Sequence, residues 1–522
     1  MLIFAPLNNE PIPLLQQVEV ATFFQLPSFQ IIGLPSPEVA EARERIRSAF
    51  EVCGLNFPKK RVVVNLSPAS VRKQGTGLDL AMALAILFRE STFKLRWGAW
   101  GELGLDGTVK PVGQMTRALF SAWQGKLTDF ILSHRDYEVG LKALNCIAAS
   151  GTCSGDPPFL IPVVSLLDAW SILSGERTNP RKNPLESKLF LNEIDSESEK
   201  IGLSCLALSP ALERVVSIAA LGNHHLLLLG PRGVGKSHAL EWLVALRPPV
   251  SASEQLQHQL LIELGHPMRG QGPFVVRRVG SQVRPGALVG GVTSSSLRPG
   301  EFSLAHGGLL IADELPEWPR DSRESLREPL ERGKITLTRA QGAWELPARF
   351  QLAANGNICP CGGAPGESEK GGEISECSCS EFSKKSYRSR ISGPILDRID
   401  LVFFMNSSLK KMEHKQKNPA GIKKLKEQVE KALCLSKSIW GKQPGMLSAR
   451  EIESWMELHP EWELWLPDCC RFSLRSRHKV VQVAMSLSLW DGETTLKESH
   501  FIEAGYYRPD RYFNLLRQNS PS

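Results

Sequence analysis

The chain has 522 residues, 42% of them hydrophobic and 22% charged. That is the balance of a globular protein too long for one hydrophobic core, so three structural units are expected. No apolar run approaches a membrane span, and the segment MLIFAPLNNEPIPLL has no basic flank before its apolar stretch, so a cytoplasmic protein is expected. The odd count of 11 cysteines argues against a secreted disulfide framework, and the net charge of +7 permits an anionic partner without requiring one.

From Val18 to about Leu173 short strands mix with helices. SFQIIGL is followed by PEVAEARERIRSAFEVCG, apolar at helical spacing, and then by the apolar run RVVVNLSP, which together read as a compact α/β unit. The stretch GERTNPRKNPLESK, from Gly175 to Lys188, is polar, basic and twice interrupted by proline, as interdomain linkers are. Next comes a helix with Ser209 as cap and Pro210 at its first position, leading into HHLLLLGPRGVGKSHALEWLVAL. Composition shifts again near Ser407, where a lysine-rich segment precedes several helical stretches. The resulting division is 1–175, a linker at 176–204, 205–406, and a linker with a helical unit at 407–522.

The strongest chemical signal is Gly230-Pro231-Arg232-Gly233-Val234-Gly235-Lys236-Ser237. It satisfies G-x-x-x-x-G-K-[ST] between a buried strand (Leu226 to Leu229) and a helix, the context in which backbone N–H groups wrap phosphates. Lys236 then faces the β- and γ-phosphates of ATP and Ser237 the Mg²⁺. Downstream, Gly308-Leu-Leu-Ile-Ala-Asp313-Glu314 is an apolar strand ending in two acids, with Asp313 placed to bind the metal and Glu314 to polarise an attacking water. The alternative for these acids, a solvated turn, loses weight beside a P-loop. His306, just before that strand, reads as a packing or helix-end residue.

ERGKITLTRAQGAWELPARF alternates apolar and polar residues on both sides of Gln341-Gly342 and reads as a β-hairpin. Lys334, Arg339 and Trp344 offer it charge and a stacking surface suited to single-stranded or branched DNA, or else they are solvated bases on a surface hairpin. Cys359-Pro-Cys361 and Cys377-Ser-Cys379 flank a hydrophilic insert. Four thiolates there could wrap one structural Zn²⁺, although C-x-C is tighter than the usual C-x₂-C knuckle and free thiols are the alternative. Further bases, Lys384, Lys385 and Arg388, could add phosphate contacts.

LVGGVTSSSLRPGEFSLAHGGLLIADELPEWPRDSRESLREPLERGKITLTRA, PARFQLAANGNICPCG and YRSRISGPILDRIDL resemble the Mg-chelatase-like AAA+ family of the competence protein ComM, also called YifB. The resemblance extends to LPSFQIIGLPSPEVAEARERIRSAF, RVVVNLSPASVRKQGTGLDLAMALAIL and GELGLDGTVKPVG in the first unit. It implies an α/β chain with an N-terminal domain like that of Lon protease (ribosomal S5 domain 2-like), a P-loop AAA+ core on a parallel sheet, and a C-terminal helical lid. It also implies that Asn357 orients the attacking water, that Arg398 in LDRID is an arginine finger given to a neighbouring subunit, and that Arg475 is a second sensor on the lid. A finger given in trans requires a ring, which the resemblance implies is a homo-hexamer. A salt bridge from Arg398 to Asp397 or Asp400 is the structural alternative, and Arg388 or Arg390 could be the finger instead. The hairpin is implied to face the ring pore.

The protease pair of the Lon fold looks absent. Gly77 stands at the nucleophile's place and VGQMTRAL offers no lysine, while Ser67, Ser70 and Lys73 form an S-x-x-K without a second hydrolase element. Two departures from the family are Arg277 and Arg278, where paired histidines are usual, and Ala312, small for its position. The expected function is an ATP-driven hexameric DNA translocase that migrates branches during recombination or transformation. The competing expectation is an ATPase resembling the magnesium chelatase motor, which remodels a partner protein.

Overall fold

The computed structural model describes residues 2–8, 10–69, 71–90, 96–176, 208–265, 275–293, 297–339, 342–363, 377–405, 419–467 and 473–508. The expected linker at 176–204 falls almost wholly outside these residues. So do Ser70, Gln341 in the hairpin turn, the stretch between the cysteine pairs, and the lysine-rich lead into the C-terminal helices.

Two sheets organise the chain. The first is a mixed seven-stranded sheet in the order Ser28–Ile32, Arg61–Ser67, Leu14–Phe23, Leu2–Leu7, Arg96–Trp100, Asp129–Ser133 and Phe159–Val163. The strand Arg61–Ser67 shows why it sits inside, burying Val62, Val64 and Leu66 at period two. Helix Pro37–Val52 covers the sheet with Val39, Ala42, Ile46, Ala49 and Phe50, a three-four spacing that puts them on one face.

The second sheet has five strands, all parallel, in the order Val276–Val279, Leu309–Ala312, Gln351–Gly356, Leu226–Leu229 and Leu401–Phe404. Below, Leu226–Leu229 is the P-loop strand, Leu309–Ala312 the acid strand and Gln351–Gly356 the sensor strand. All four leucines of the P-loop strand are buried, as expected of a parallel strand covered on both faces. One face is closed by helices Pro210–Gly222 and Lys236–Leu246 together with the C-terminal helices, including Pro419–Trp440, Leu474–Trp490 and Glu498–Tyr506. Ser209 caps Pro210–Gly222 through its extended backbone, without the side-chain hydrogen bond a serine cap often makes. The other face carries Phe302, Trp318 and the hairpin Lys334–Arg339/Gly342–Pro347, which forms as its alternation requires.

Helix Ala252–Gly265 joins the two sheet units. Leu256 and Leu260 enter the core of the first unit. The Glu263 carboxylate accepts the Thr116 and Arg117 backbone N–H groups (3.3 and 3.0 Å) at the start of helix Met115–Gln124, where a negative charge is favoured. Arg117, itself buried, returns a hydrogen bond to the Leu260 carbonyl (2.7 Å).

Four histidines are built into the second unit as neutral rings. Burial pushes His224, His225, His258 and His306 down to about 4. Two of them accept backbone bonds that a proton would break: Leu352 N–H to His225 Nδ1 and Arg349 N–H to His306 Nδ1, both 3.0 Å. Between about pH 6.5 and 4 the unfolded chain therefore binds more protons at these sites than the folded one, and stability is lost as pH falls through that window. The expected loss is at most about 1.4 kcal/mol per pH unit per histidine. Urea unfolding at pH 7 and pH 5 should show it, and His258→Gln should make the dependence shallower. A stability unchanged between those values would contradict neutral burial.

Candidate nucleotide site and cysteine centre

The P-loop strand passes at Gly230 into the turn that starts helix Lys236–Leu246. A Cβ on Gly230 would lie 2.6 Å from the Met405 carbonyl oxygen, so only glycine fits. Gly235, which caps the helix, has φ +94°, a conformation that favours glycine. The turn leaves the first N–H groups of an 11-residue helix facing a cavity of about 570 Å³. Lys236 folds back over the loop and donates to the Gly230 and Pro231 carbonyls (2.8 and 2.7 Å) and to Asn357 Oδ1 (3.0 Å). Burial pushes its ammonium down to about 8.

Opposite the loop, the acid strand ends at Asp313 and Glu314, which line the same cavity with Ser237, Asn355 and Asn357. Asn355 fixes the acids. Its Nδ2 donates to Asp313 Oδ1 (2.9 Å) and its Oδ1 accepts the Glu314 backbone N–H (2.8 Å). Glu314 is held at φ +50°, ψ +47°, a conformation costly for a non-glycine residue and common at functional sites. The donor set suits a nucleoside triphosphate with Mg²⁺: helix N–H groups and an ammonium for phosphate, a hydroxyl and a carboxylate for a hard cation. Arg278 also lines the cavity and pairs with Glu241 (2.7 Å), whereas Arg277 is engaged by Glu301 (2.6 Å). Ala312 is fully buried. The sequence pattern does not single out Asn355 or Arg278. An asparagine two residues before Asn357 in AANGN is the one signal that points to the first.

Arg398 and Arg475 do not line this cavity. Both guanidinium groups hold the Glu331 carboxylate, and these arginines, Arg398 foremost, lower its pKa. The expected alternative for Arg398, a bridge to Asp397 or Asp400, is replaced by this pairing, because Asp400 is engaged by Lys479 (2.6 Å) and by the His225 N–H (2.7 Å). Arg388 Nε donates to the Ile358 carbonyl (3.2 Å), and Arg390 pairs with Glu317 (2.8 Å).

On the hairpin, Arg339 is exposed beside the turn, donating to the neighbouring Thr338 carbonyl. Lys334 is at the root, paired with Glu345 (2.7 Å), and Trp344 packs partly buried against the core. Lys334 faces a second cavity, about 760 Å³, whose walls also carry Arg332, Arg349, Lys437 and Lys442. That cavity shares no lining residue with the P-loop cavity. His306 Nε2 donates to Gln257 Oε1 (2.7 Å), and the ring is buried as a packing residue.

The sulfur atoms of Cys359, Cys361, Cys377 and Cys379 lie within 4.8 Å of one another. Cys359 is 3.3 Å from Cys361 and 3.5 Å from Cys377, and Cys361 is 3.6 Å from Cys377. A tetrahedral ion with Zn–S bonds of about 2.3 Å sets its sulfurs about 3.8 Å apart, so the cluster fits one metal with little rearrangement. The Gly363 N–H donates to Cys361 Sγ (3.3 Å) and draws that thiol down to about 6, while burial pushes Cys359 up to about 12.

In the first unit, a Cβ at Gly77 would meet the Trp100 ring at 2.5 Å, so the indole fills the place a nucleophile would need. Lys73 is buried and donates to the Pro68 and Val71 carbonyls, the latter at 2.7 Å.

A family model described as magnesium chelatase, subunit ChlI, matches residues 208–413, and one described as subunit ChlI of Mg-chelatase matches residues 18–136. The chain is 30% identical over 498 residues to competence protein ComM of Haemophilus influenzae, covering 92% of each chain. It is 29% identical over 500 residues to the uncharacterized protein YifB of Escherichia coli K12, covering 94% of this chain and 93% of YifB. An uncharacterized protein of Mycobacterium tuberculosis H37Rv is 33% identical over 402 residues, 74% of this chain and 73% of the relative.

Asn355→Leu keeps the side-chain size but leaves the Glu314 N–H and one Asp313 oxygen without their partner. Unfolding free energy should fall by about 1–2 kcal/mol, the scale for losing two hydrogen bonds to groups that water in the cavity can still reach. A denaturation midpoint equal to wild type would show that Asn355 does not hold the acids.

Proposed function

The chain belongs to the Mg-chelatase-like AAA+ family of ComM and YifB, and on that premise we propose that it hydrolyses ATP to drive DNA strands through a ring of its own copies, acting as a branch-migration translocase. The observation that carries the ATPase reading is the convergence of Lys236, Ser237, Asp313, Glu314 and Asn357 on one cavity. Lys236 and the N–H groups of the turn bind the phosphates, and Ser237 with Asp313 holds Mg²⁺. The bound ion supplies neutralisation of phosphate charge. Glu314, whose backbone is clamped by Asn355, takes the proton of the attacking water, and Asn357 orients that water from beside Lys236. Arg398 serves a neighbouring copy as finger and Arg475 senses the nucleotide from the lid, each leaving Glu331 to do so.

DNA as the substrate is supported by the name of the competence relative, by the exposed Arg339 and by the cationic cavity at the hairpin root. Branch migration exchanges each base-pair step, about 1.4 kcal/mol, for an equivalent one, so hydrolysis supplies direction rather than net melting. The second reading, remodelling of a partner protein, is favoured by the chelatase description of the family and by Trp344, which packs into the core rather than standing free to stack on bases. We also propose that the four thiolates hold one structural zinc.

Glu314→Gln should bind ATP normally and lower hydrolysis at least about a hundredfold, the scale of a lost general base; near-normal turnover would remove Glu314 from that role. Lys334→Glu with Arg339→Glu should abolish DNA-stimulated hydrolysis while leaving basal turnover, with Arg339 contributing more because Lys334 is already paired. The logarithm of DNA affinity should also fall less steeply with the logarithm of salt, by about 0.7 to 0.9 for each phosphate that is no longer neutralised. An active ATPase that neither binds DNA at low salt nor responds to single-stranded, duplex or four-way-junction DNA would promote the remodelling reading.

A further inference from the structure

The cysteine centre does not stand apart from the nucleotide cradle. The chain leaves the sensor strand through Asn357 and Ile358 and enters the first cysteine pair at Cys359, so one short segment serves both. Three hydrogen bonds stitch the P-loop to it: Gly230 N–H to the Gly356 carbonyl (3.2 Å), Lys236 Nζ to Asn357 Oδ1 (3.0 Å), and Arg232 N–H to the Gly362 carbonyl (2.9 Å). The first two are secured by the sheet. The third reaches the crest of the P-loop from within the cysteine turn. Gly362 has φ +74°, and a Cβ there would lie 2.6 Å from Cγ and Nε of Arg232, so turn and P-loop are also in van der Waals contact.

The turn is kept in place by sulfur and backbone contacts together. The Gly363 N–H donates to Cys361 Sγ, the Gly362 N–H donates to the Cys359 carbonyl (3.2 Å), and Cys359 alone of the four cysteines is buried. Whatever draws the four sulfurs together adds to that order, and a bound metal ion does so far more strongly than thiol contacts.

We propose that metal occupancy of the Cys359, Cys361, Cys377 and Cys379 centre sets the P-loop geometry at Arg232 and thereby the affinity for nucleotide, making the centre a regulator of the ATP site. The inference rests on the zinc and ATP readings above. Reciprocity follows: if metal strengthens nucleotide binding by some factor, nucleotide strengthens metal retention by the same factor.

The test uses the full chain, metal-loaded, stripped with a chelator, and reloaded with zinc. Affinity for a fluorescent ATP analogue with Mg²⁺ should weaken at least about fivefold on stripping, the lower end of typical coupling between sites, and recover on reloading. Release of zinc to a chromogenic chelator should slow when the ATP analogue is bound. Gly362→Ala leaves all four ligands in place. It should keep its zinc and a wild-type circular dichroism spectrum, yet bind nucleotide more weakly and show less slowing of zinc release. Equal nucleotide affinity with and without bound zinc would overturn the coupling while leaving the zinc reading intact. A chain that neither contains nor takes up zinc would overturn both, and one that binds zinc but no nucleotide would overturn the coupling together with the ATP reading.

Discussion

Because the five strands of the second sheet run in one direction, their carboxyl ends share an edge, and every group at the nucleotide site depends on that alignment. Leu229 lies opposite Gly356, and Ala312 opposite Ala354, so Gly230, Asp313, Asn355 and Asn357 leave the sheet within a few residues of the same level. Neighbouring strands are about 4.8 Å apart, which puts side chains from three of them within hydrogen-bond reach of one another. Lys236 therefore meets Asn357, and Asn355 meets both acids, without any long loop having to find them. Crevices at the carboxyl ends of parallel strands are general ligand sites for this reason.

Local pattern carries part of this into the sequence. The P-loop, the two acids and the hairpin each depend on residues a few positions apart, so spacing and alternation suffice to find them. The shared core of the P-loop helices and the C-terminal helices cannot be read that way, because it joins Leu212 and Val216 to Val480 and Ala484 across some two hundred and seventy positions. Asn355 belongs to the same class. Its value lies in reaching Asp313 and Glu314 on the adjacent strand, and only the register makes it more than a buried amide beside the expected Asn357. Arg278 faces the nucleotide cavity from the edge strand, though the sequence suggests only a departure from the family pattern. The bond from Arg232 to Gly362 is likewise invisible as long as the cysteine pairs are read as an insert.

Trp344 is a case where composition misleads. A tryptophan near bases on a hairpin suggests a stacking surface, but cross-strand geometry sets it opposite Leu337 on the face that packs into the core. The alternation of a strand assigns faces, and one of the two faces must cover the core. Charge obeys the same geometry. Lys334 is spent on Glu345 and on the wall of the cavity at the hairpin root, whereas Arg339 is carried past the last core residue toward solvent.

Glu331 gathers the parts that a nucleotide cycle would have to move together. It lies on helix Arg327–Arg332, immediately before the hairpin strand that starts at Lys334, and it holds Arg475 of the lid helix and Arg398 beside the edge strand. Its carboxylate and Arg475 are exposed, and an ion pair in such a setting contributes no more than about 1 kcal/mol, whereas the Arg398 side chain is only 11% exposed and is the more firmly held of the two. Phosphate oxygens can outbid a carboxylate shared between two guanidinium groups, particularly when several arrive on one ligand. If Arg398 serves a neighbouring copy and Arg475 the lid, as the proposed function requires, Arg475 can leave at little cost while Arg398 still pairs with Glu331, and release of Arg398 is the costlier step. A deeply buried partner would have made the same arginines stable and useless for transfer, since separating a desolvated pair costs several kcal/mol. Partial exposure of this one carboxylate would let a structure held together by packing elsewhere give up Arg475 readily at its surface while keeping Arg398 in place until a stronger anion draws it away.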